Sequence, residues 1–315
     1  MEIYKSIKDF KNVENPVVTT GTFDGVHLGH RTILNRLKEI AAGINGKTVL
    51  VTFFPHPRFV LYPHDNDLKL LNTQDEKIKL LEKAGIDHLI IIPFTEEFSR
   101  LTDVEFVRDI LVNTIGVKKL VIGYNHRFGK NREGTLEQLK KHASVFGFKI
   151  EEIPALDLYN VNISSTKIRD ALLKGDPQTA NSYLGYDYFL NGNVIKGRGV
   201  GQTLGFPTAN IRVDEKYKLI PADGVYAVNA GLDGEIHKGM LNIGVRPTLH
   251  PETIVNAKVN KSIEINIFDF DDDIYDKRLT VYFKERIRDE KKFDDLEALK
   301  QQLLIDKKNA INLLK

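Results

Sequence analysis

Apolar and polar positions follow one rhythm in the first part of the chain and another in the second. Up to about residue 185, short β-branched runs alternate with segments whose apolar residues recur every three or four positions. Pro16–Thr20 is such a run and stops at Gly21. Gly29–Ala42 then sets Ile33, Leu34, Leu37, Ile40 and Ala41 on one face, which predicts a helix. Lys47–Phe54 is an apolar run bounded by Gly and Pro, the pattern of a strand buried on both faces. Thr73–Glu76 and Thr102–Glu105 have the spacing of capping boxes. The first opens a helix carrying Ile78, Leu80 and Leu81 before Gly85, the second a helix reaching about Thr114. His88–Phe94, Lys118–Ile122 and Phe148–Ile153 read as strands, and Thr135–Phe146 as a helix. This alternation predicts a parallel sheet covered by helices, with ligands outside the carboxyl ends of its strands.

Near Leu184-Gly-Tyr the texture changes. Phe189–Ile195, Thr208–Val213, Gly224–Ala230, Gly239–Ile243, Ser262–Phe268 and Leu279–Phe283 are short β-rich segments separated by Gly, Pro and Asn turns. They predict a small barrel or sandwich. In the tail, Asp294–Lys315, charges alternate with Leu296, Leu299, Leu303, Leu304, Ile311 and Leu314. An amphipathic helix with a break near Asp306, lying over one side of the barrel, is expected there.

Composition narrows the function. Apolar residues make up 42% and charged residues 28% of 315 positions, the proportions of a folded chain with room for two domains. The absence of cysteine excludes disulfides, thiol nucleophiles and Cys-held metals. Lys and Arg number 45 against 43 Asp and Glu, a formal charge of +2, and no run of five or six like charges occurs. Nucleic acid is therefore not the expected partner, whereas small phosphorylated ligands need only local donors. Charges interrupt the first residues every few positions, and Leu89–Pro93 and Thr48–Phe54 fall far short of the roughly 18–20 apolar residues that span a bilayer. The expectation is a cytoplasmic protein, monomeric or weakly associated, without a membrane partner.

Two segments carry candidate phosphate chemistry in the first part. Gly21-Thr-Phe-Asp-Gly-Val-His-Leu-Gly-His30 joins the first strand to the first helix. Its glycines admit a ligand close to backbone, and the helix start directs N–H groups at it. His27 and His30, about a turn apart, can donate to phosphates; alone, such a pair equally fits a helix cap. Ile163-Ser-Ser-Thr-Lys-Ile-Arg169 opens another helix, with hydroxyls on Ser164, Ser165 and Thr166 and a guanidinium on Arg169 that suits phosphate. Together they have the pattern of nucleotidyltransferases. In the second part, Lys196-Gly-Arg-Gly-Val-Gly201 is a Gly-rich turn, and Thr208 and Asn210 share one face of an extended stretch. Glu264 and Asn266 share one face of Ser262–Phe268, opposite Ile263, Ile265 and Ile267.

These motifs occur in the order 21–30, Phe54-Pro-His-Pro57, Gly123-Tyr-Asn-His-Arg-Phe-Gly129, Ile163–Arg169, Leu204–Ile211, Gly224-Val-Tyr226, Asn242–Thr248 and Glu264. The whole resembles the bacterial bifunctional riboflavin kinase/FAD synthetase family over nearly its full length. The resemblance implies an α/β plus β fold. A Rossmann-like parallel-sheet FMN adenylyltransferase domain would span 1–185, and a small antiparallel β-barrel riboflavin kinase domain with a terminal helix 186–315. It implies ATP as co-substrate, riboflavin, FMN and FAD as substrates and products, and Mg²⁺. In the adenylyltransferase, Gly21, Thr22, Phe23, Asp24, Gly25, His27, His30, Asn125, Ser164, Ser165, Thr166 and Arg169 would bind ATP. His27, His30 and Arg169 would act in catalysis there, and Pro55, His56, Pro57, Arg58 and Phe128 would line the flavin side. In the kinase, Lys196, Gly197, Gly199, Gly201, Thr208 and Asn210 would bind ATP, and Thr208 and Asn210 the Mg²⁺. Glu264 would be the base, with Arg288 and Phe293 near the flavin.

The chain departs from the family pattern at Gln202, where Arg is usual, at His126, where Phe is frequent, and at Asp272 and Asp276, which replace Gly in a turn. Asp269, Asp271 and Asp273 alternate as in a Ca²⁺ loop, but Ile274 and Thr280 stand where that loop needs Gly and Glu, so an EF-hand is rejected.

Overall fold

The computed structural model describes residues 1–64, 67–123, 129, 134–153, 163–196, 200–245 and 261–315. The chain divides into two units, Met1–Ser165 and Thr166–Lys315. The division precedes the change of texture near Leu184, so the two helices between them group with the second unit.

In the first unit, β1 (Glu2–Tyr4), β2 (Val17–Thr20), β3 (Thr48–Phe54), β4 (His88–Pro93), β5 (Lys119–Gly123) and β6 (Lys149–Ile153) form one sheet in the order β1-β4-β3-β2-β5-β6. Every neighbouring pair is parallel. β2 is buried at every position, and β3 through Thr52, as their apolar runs predict. The helices are α1 (Leu28–Ala42), α2 (Pro57–Leu61), α3 (Gln74–Lys83), α4 (Glu96–Ser99), α5 (Asp103–Glu105) and α6 (Leu136–Phe146). Both expected capping boxes form, at Thr73 with Glu76 and at Thr102 with Glu105, and Thr135 with Gln138 makes another. α5 runs on through Phe106–Thr114 as a π-helix, where the Ile115 N–H reaches back five residues to the Ile110 carbonyl at 3.0 Å. The core under these helices joins Val18, Val49, Val51, Ile90 and Ile122 of the sheet to Phe106, Leu111 and Leu139. The three-residue β1 escapes sequence patterning because only Tyr4 in it is buried.

The sheet fixes where a site can form. β2 lies between β3 and β5, and the chain leaves β2 for β3 on one side before crossing to β5 on the other. That reversal is the position at which open parallel sheets bind ligands.

The second unit opens with α7 (Ser165–Leu173), whose first residue belongs to the first unit, and α8 (Pro177–Leu184). A closed antiparallel barrel follows in the order β10-β11-β8-β7-β12-β9. Its strands are β7 (Phe189–Ile195), β8 (Ala209–Arg212), β9 (Gly224–Leu232), β10 (Glu235–Val245), β11 (Lys261–Ile267) and β12 (Arg278–Arg288), with the short helix α9 (Val200–Thr203) between β7 and β8. β12 outruns its apolar stretch because charged residues continue the pairing with β9, across register shifts at Phe283/Glu285 and Arg286/Arg288. Asp276 takes a left-handed φ of 63° in the turn before it, a conformation Asp tolerates.

α10 (Leu296–Leu313) sets Ala310, with Leu314 just beyond, against Phe206, Ala227, Met240 and Phe268. The expected break near Asp306 is not there. Asp306 is fully buried, and its carboxylate accepts from Nε and Nη2 of Arg288 at 2.7–3.0 Å. A paired charge inside an apolar stripe leaves the helix intact where an unpaired one would not.

Candidate active sites

The loop between β2 and α1 departs from ordinary backbone geometry at three positions. Phe23, Gly25 and Val26 have φ of 49°, 90° and 38°. Glycine adopts such angles readily, but Phe and a β-branched Val do so at a cost of about 1–3 kcal/mol each, and only where surroundings over-determine them. The surroundings here are visible. Oδ1 of Asp24 accepts from the Leu71 and Asn72 N–H groups at 2.9 and 3.4 Å. The Ser165 hydroxyl donates to the Asp24 carbonyl at 2.9 Å. Thr52 Oγ1 and Lys77 Nζ each donate to the Thr22 carbonyl at 3.3 Å. Residues Gly21–Gly25 are thus held on several sides, by β3, by α3, by the 71–72 backbone and by Ser165.

His27 is the N-cap of α1, and its Nδ1 accepts the His30 N–H at 3.3 Å. The capping role open in the sequence is therefore real, yet it does not consume the ring. With Nδ1 accepting, the neutral imidazole carries its proton on Nε2. The His27 and His30 rings stack at 3.6 Å between centroids, and Phe23 lies 4.9 Å from His30. Nδ1 of His30 is closed off from solvent without a hydrogen-bond partner. Burial first, then the charges of His27 and Lys77, hold the His30 imidazole well below the ordinary range, so it is neutral at physiological pH. Two stacked imidazoles at the start of α1, one with an unpartnered Nδ1, are groups that an anion would satisfy.

The other described adenylyltransferase candidates follow β3 or lie around the boundary between the two units. Pro55, His56, Pro57 and Arg58 follow the carboxyl end of β3, with His56 capping α2 by accepting the Arg58 N–H at 3.2 Å. Ser164 and Thr166 are exposed at the start of α7, and Arg169 is half-buried a turn later in the second unit. Asn125 and Phe128, with His126, lie outside the described residues.

In the barrel, strand register brings polar residues together. Glu264 on β11 pairs with Asn210 on β8 and with Asn242 on β10. Residues directly opposite in antiparallel strands share a face, so the three side chains form a row. Asn210 is buried and Glu264 half-buried. Nδ2 of Asn266 donates to the Pro207 carbonyl at 2.7 Å, anchoring the segment that carries Thr208. A Cβ on Gly201 would collide with the Phe206 carbonyl and stand 3.2 Å from Thr208 Oγ1. α9 thus lies directly against Thr208, and only glycine fits. Lys196 follows β7, with Nζ 5.7 Å from the Tyr275 ring centroid. Gly197, Gly199 and the side chain of Gln202 lie outside the described residues. Arg288, besides gripping Asp306, stands over the Phe293 ring at 5.7 Å.

Sequence reading missed Thr52, Lys77, Asn242 and the anchoring role of Asn266. Lys77 had a signal: it lies three and four positions before Leu80 and Leu81, on the stripe that faces the core. It is more deeply buried than Ile78.

Residues 9–167 match the family model of FAD synthetase and residues 184–314 that of riboflavin kinase. The bifunctional riboflavin kinase/FMN adenylyltransferase of Listeria monocytogenes is 38% identical over 94% of this chain and 91% of its own length. Its counterparts in Bacillus subtilis and Escherichia coli are 35% identical, each over 94% of this chain and 91% and 92% of their own. A solved structure described as a macrolide-efflux protein from Streptococcus pneumoniae is 31% identical and superimposes with a TM-score of 0.88 over 98% of both chains. Among the described residues of this chain, no helix is long and apolar enough to cross a membrane.

Proposed function

Because the chain belongs to the family of bifunctional riboflavin kinases/FMN adenylyltransferases, it converts riboflavin and ATP to FMN and then FMN and ATP to FAD, and we propose that these steps divide between residues 1–185 and 186–315. In residues 1–185, where FAD is made, the FMN phosphate attacks the α-phosphorus of ATP and the bond to pyrophosphate breaks. Gly21, Thr22, Phe23, Asp24 and Gly25 present backbone to the nucleotide, while Nε2 of His27 and the neutral His30 donate to its phosphates. Asn125, Ser164, Ser165, Thr166 and Arg169 complete the ATP side; Pro55, His56, Pro57, Arg58 and Phe128 line the flavin side. The attacking phosphate is already anionic near neutral pH, so catalysis here is orientation and charge stabilisation without a general base.

In the second unit the riboflavin hydroxyl is a weak nucleophile and gains from a base. Glu264 accepts its proton as the oxygen attacks the γ-phosphorus and ADP leaves. Lys196, Gly197, Gly199 and Gly201 border the ATP polyphosphate. Thr208 and Asn210, neutral oxygen donors beside a carboxylate, fit a hard cation and would hold Mg²⁺, which supplies charge neutralisation at the phosphates. Arg288, held by Asp306, supports Phe293 on the flavin side. ATP drives both steps, which supports a cytoplasmic enzyme of small flavins and nucleotides; the balanced charge of +2 supports independence of nucleic acid, and the reading extends to a monomer or weak oligomer.

The observation that carries the kinase assignment is Glu264 standing in register between Asn210 and Asn242. Glu264→Ala is expected to stop FMN formation and spare conversion of FMN to FAD. His30→Ala should slow FAD formation by about 10²–10³ and spare the kinase. Product chromatography reads both; survival of both activities in Glu264→Ala would remove Glu264 as the base.

A further inference from the structure

Lys77 has no place in the chemistry above, yet it sits beneath the nucleotide loop. It is only 8% exposed, and its Nζ donates to the Thr22 carbonyl and to Thr52 Oγ1, both at 3.3 Å. Thr52 donates to the same carbonyl, so two buried side chains pull one peptide oxygen inward. The Thr22–Phe23 peptide is trans. In a trans peptide the carbonyl and the following N–H point in opposite directions. The Phe23 N–H therefore points away from Lys77, and among the described residues it meets no acceptor. An N–H without a partner, on the side away from Lys77 and on a residue itself held at φ 49°, is a donor that an anion would satisfy.

We propose that Lys77 is a positioning residue of adenylyl transfer: with Thr52 it locks the Thr22–Phe23 peptide so that the Phe23 N–H faces the ATP polyphosphate, and it adds a buried positive charge behind that donor. The assignment rests on reading 21–30 as the nucleotide loop. Arg at position 77 could keep both the charge and the reach to Thr22; Met keeps neither. Asp24 of the loop and His30 of α1 are the titratable groups that interact with the ammonium. Of these only Lys77 carries a positive charge whose loss falls on the alkaline side. Burial brings it down to about 8.

The test uses the full-length enzyme, with pyrophosphate release from ATP and FMN measured across pH beside riboflavin phosphorylation. Lys77→Met is expected to lower kcat for adenylyl transfer about tenfold to hundredfold with little change in the KM for FMN, since one phosphate donor is misdirected rather than removed. Lys77→Arg should recover much of that loss, and riboflavin phosphorylation should stay at the wild-type rate in both. Wild-type kcat should decline as pH passes about 8, a decline absent in Lys77→Met. Thr52→Val should give a smaller loss, and the double variant less than the product of the two, because both act through one carbonyl. If Lys77→Met folds poorly, the wild-type pH profile and Thr52→Val carry the same test. A wild-type kcat and pH profile in Lys77→Met, with His30→Ala crippled, overturns the role of Lys77 alone. Wild-type adenylyl transfer in His30→Ala as well overturns the loop assignment beneath it.

Discussion

A single lysine shows how far function can pull a residue from its stable state. Lys77 occupies a core-facing helix position beside Leu80 and Leu81, where an aliphatic side chain would ordinarily stand. Burial lowers its pKa from 10.5 to about 8, with only Asp24 opposing the shift. At 1.36 kcal/mol per unit that displacement corresponds to a cost on the order of 3 kcal/mol at neutral pH. The sign follows from the direction. The unfolded chain binds the proton more tightly, so stability from this group is full above 10.5, lost as pH falls through about 8, and absent below. Lys77→Met is therefore expected to melt higher than wild type at neutral pH, with the difference closing toward the alkaline end. Calorimetry at the two ends checks it; a variant that melts lower at neutral pH would mean that the bonds to Thr22 and Thr52 outweigh the buried charge. The lysine escaped the sequence reading because charge marks a residue as surface by default. Its helical phase with Leu80 and Leu81 was the contrary signal.

At the scale of elements, periodicity and capping spacing were sufficient wherever one face of a segment is uniformly apolar. α1, α3 and β2–β5 lie within a residue or two of their sequence bounds, because burial on a regular lattice leaves a regular pattern. The pattern failed where a tertiary partner changes what a charge means. Asp306 reads as an interruption of the last helix, but Arg288 reaches it from β12 and the helix continues. Removing one partner of such a pair strands the other, typically at about 3–5 kcal/mol. Asp306→Ala should accordingly lower the stability of the second unit by about that amount in denaturant titration. Arg288→Met with Asp306→Leu should recover most of it, since two apolar side chains leave no unpaired charge. Equal stability of Asp306→Ala and wild type would show that the ion pair adds nothing to docking of the helix. The β2–α1 loop is the converse case: its Gly spacing and His pair were visible in the sequence, but its pinning was not. Asp24, Thr52, Lys77 and Ser165 come from four stretches of chain that only folding brings together.

For the whole molecule, the two textures of the sequence do correspond to two architectures, a parallel sheet and a closed barrel. Each carries its own candidate site, and family models for different activities match each part separately. If the steps are separable, neither should need the other's active site within the same chain. FMN made by one molecule must then serve as substrate for another. A mixture of Glu264→Ala, which keeps adenylyl transfer, and His30→Ala, which keeps phosphorylation, should make FAD from riboflavin and ATP. Glu264→Ala alone should not, and His30→Ala alone should do so only at a residual rate about 10²–10³ lower. The product should appear after a lag in which free FMN accumulates, and the lag should shorten as the Glu264→Ala enzyme is raised, because its encounter with released FMN is bimolecular. Time-resolved chromatography of riboflavin, FMN and FAD resolves the lag directly. FMN accumulation without FAD in the mixture, despite normal FAD formation by Glu264→Ala given FMN, would mean that His30→Ala holds its product. FAD without a lag would mean that FMN passes between molecules before it reaches solution.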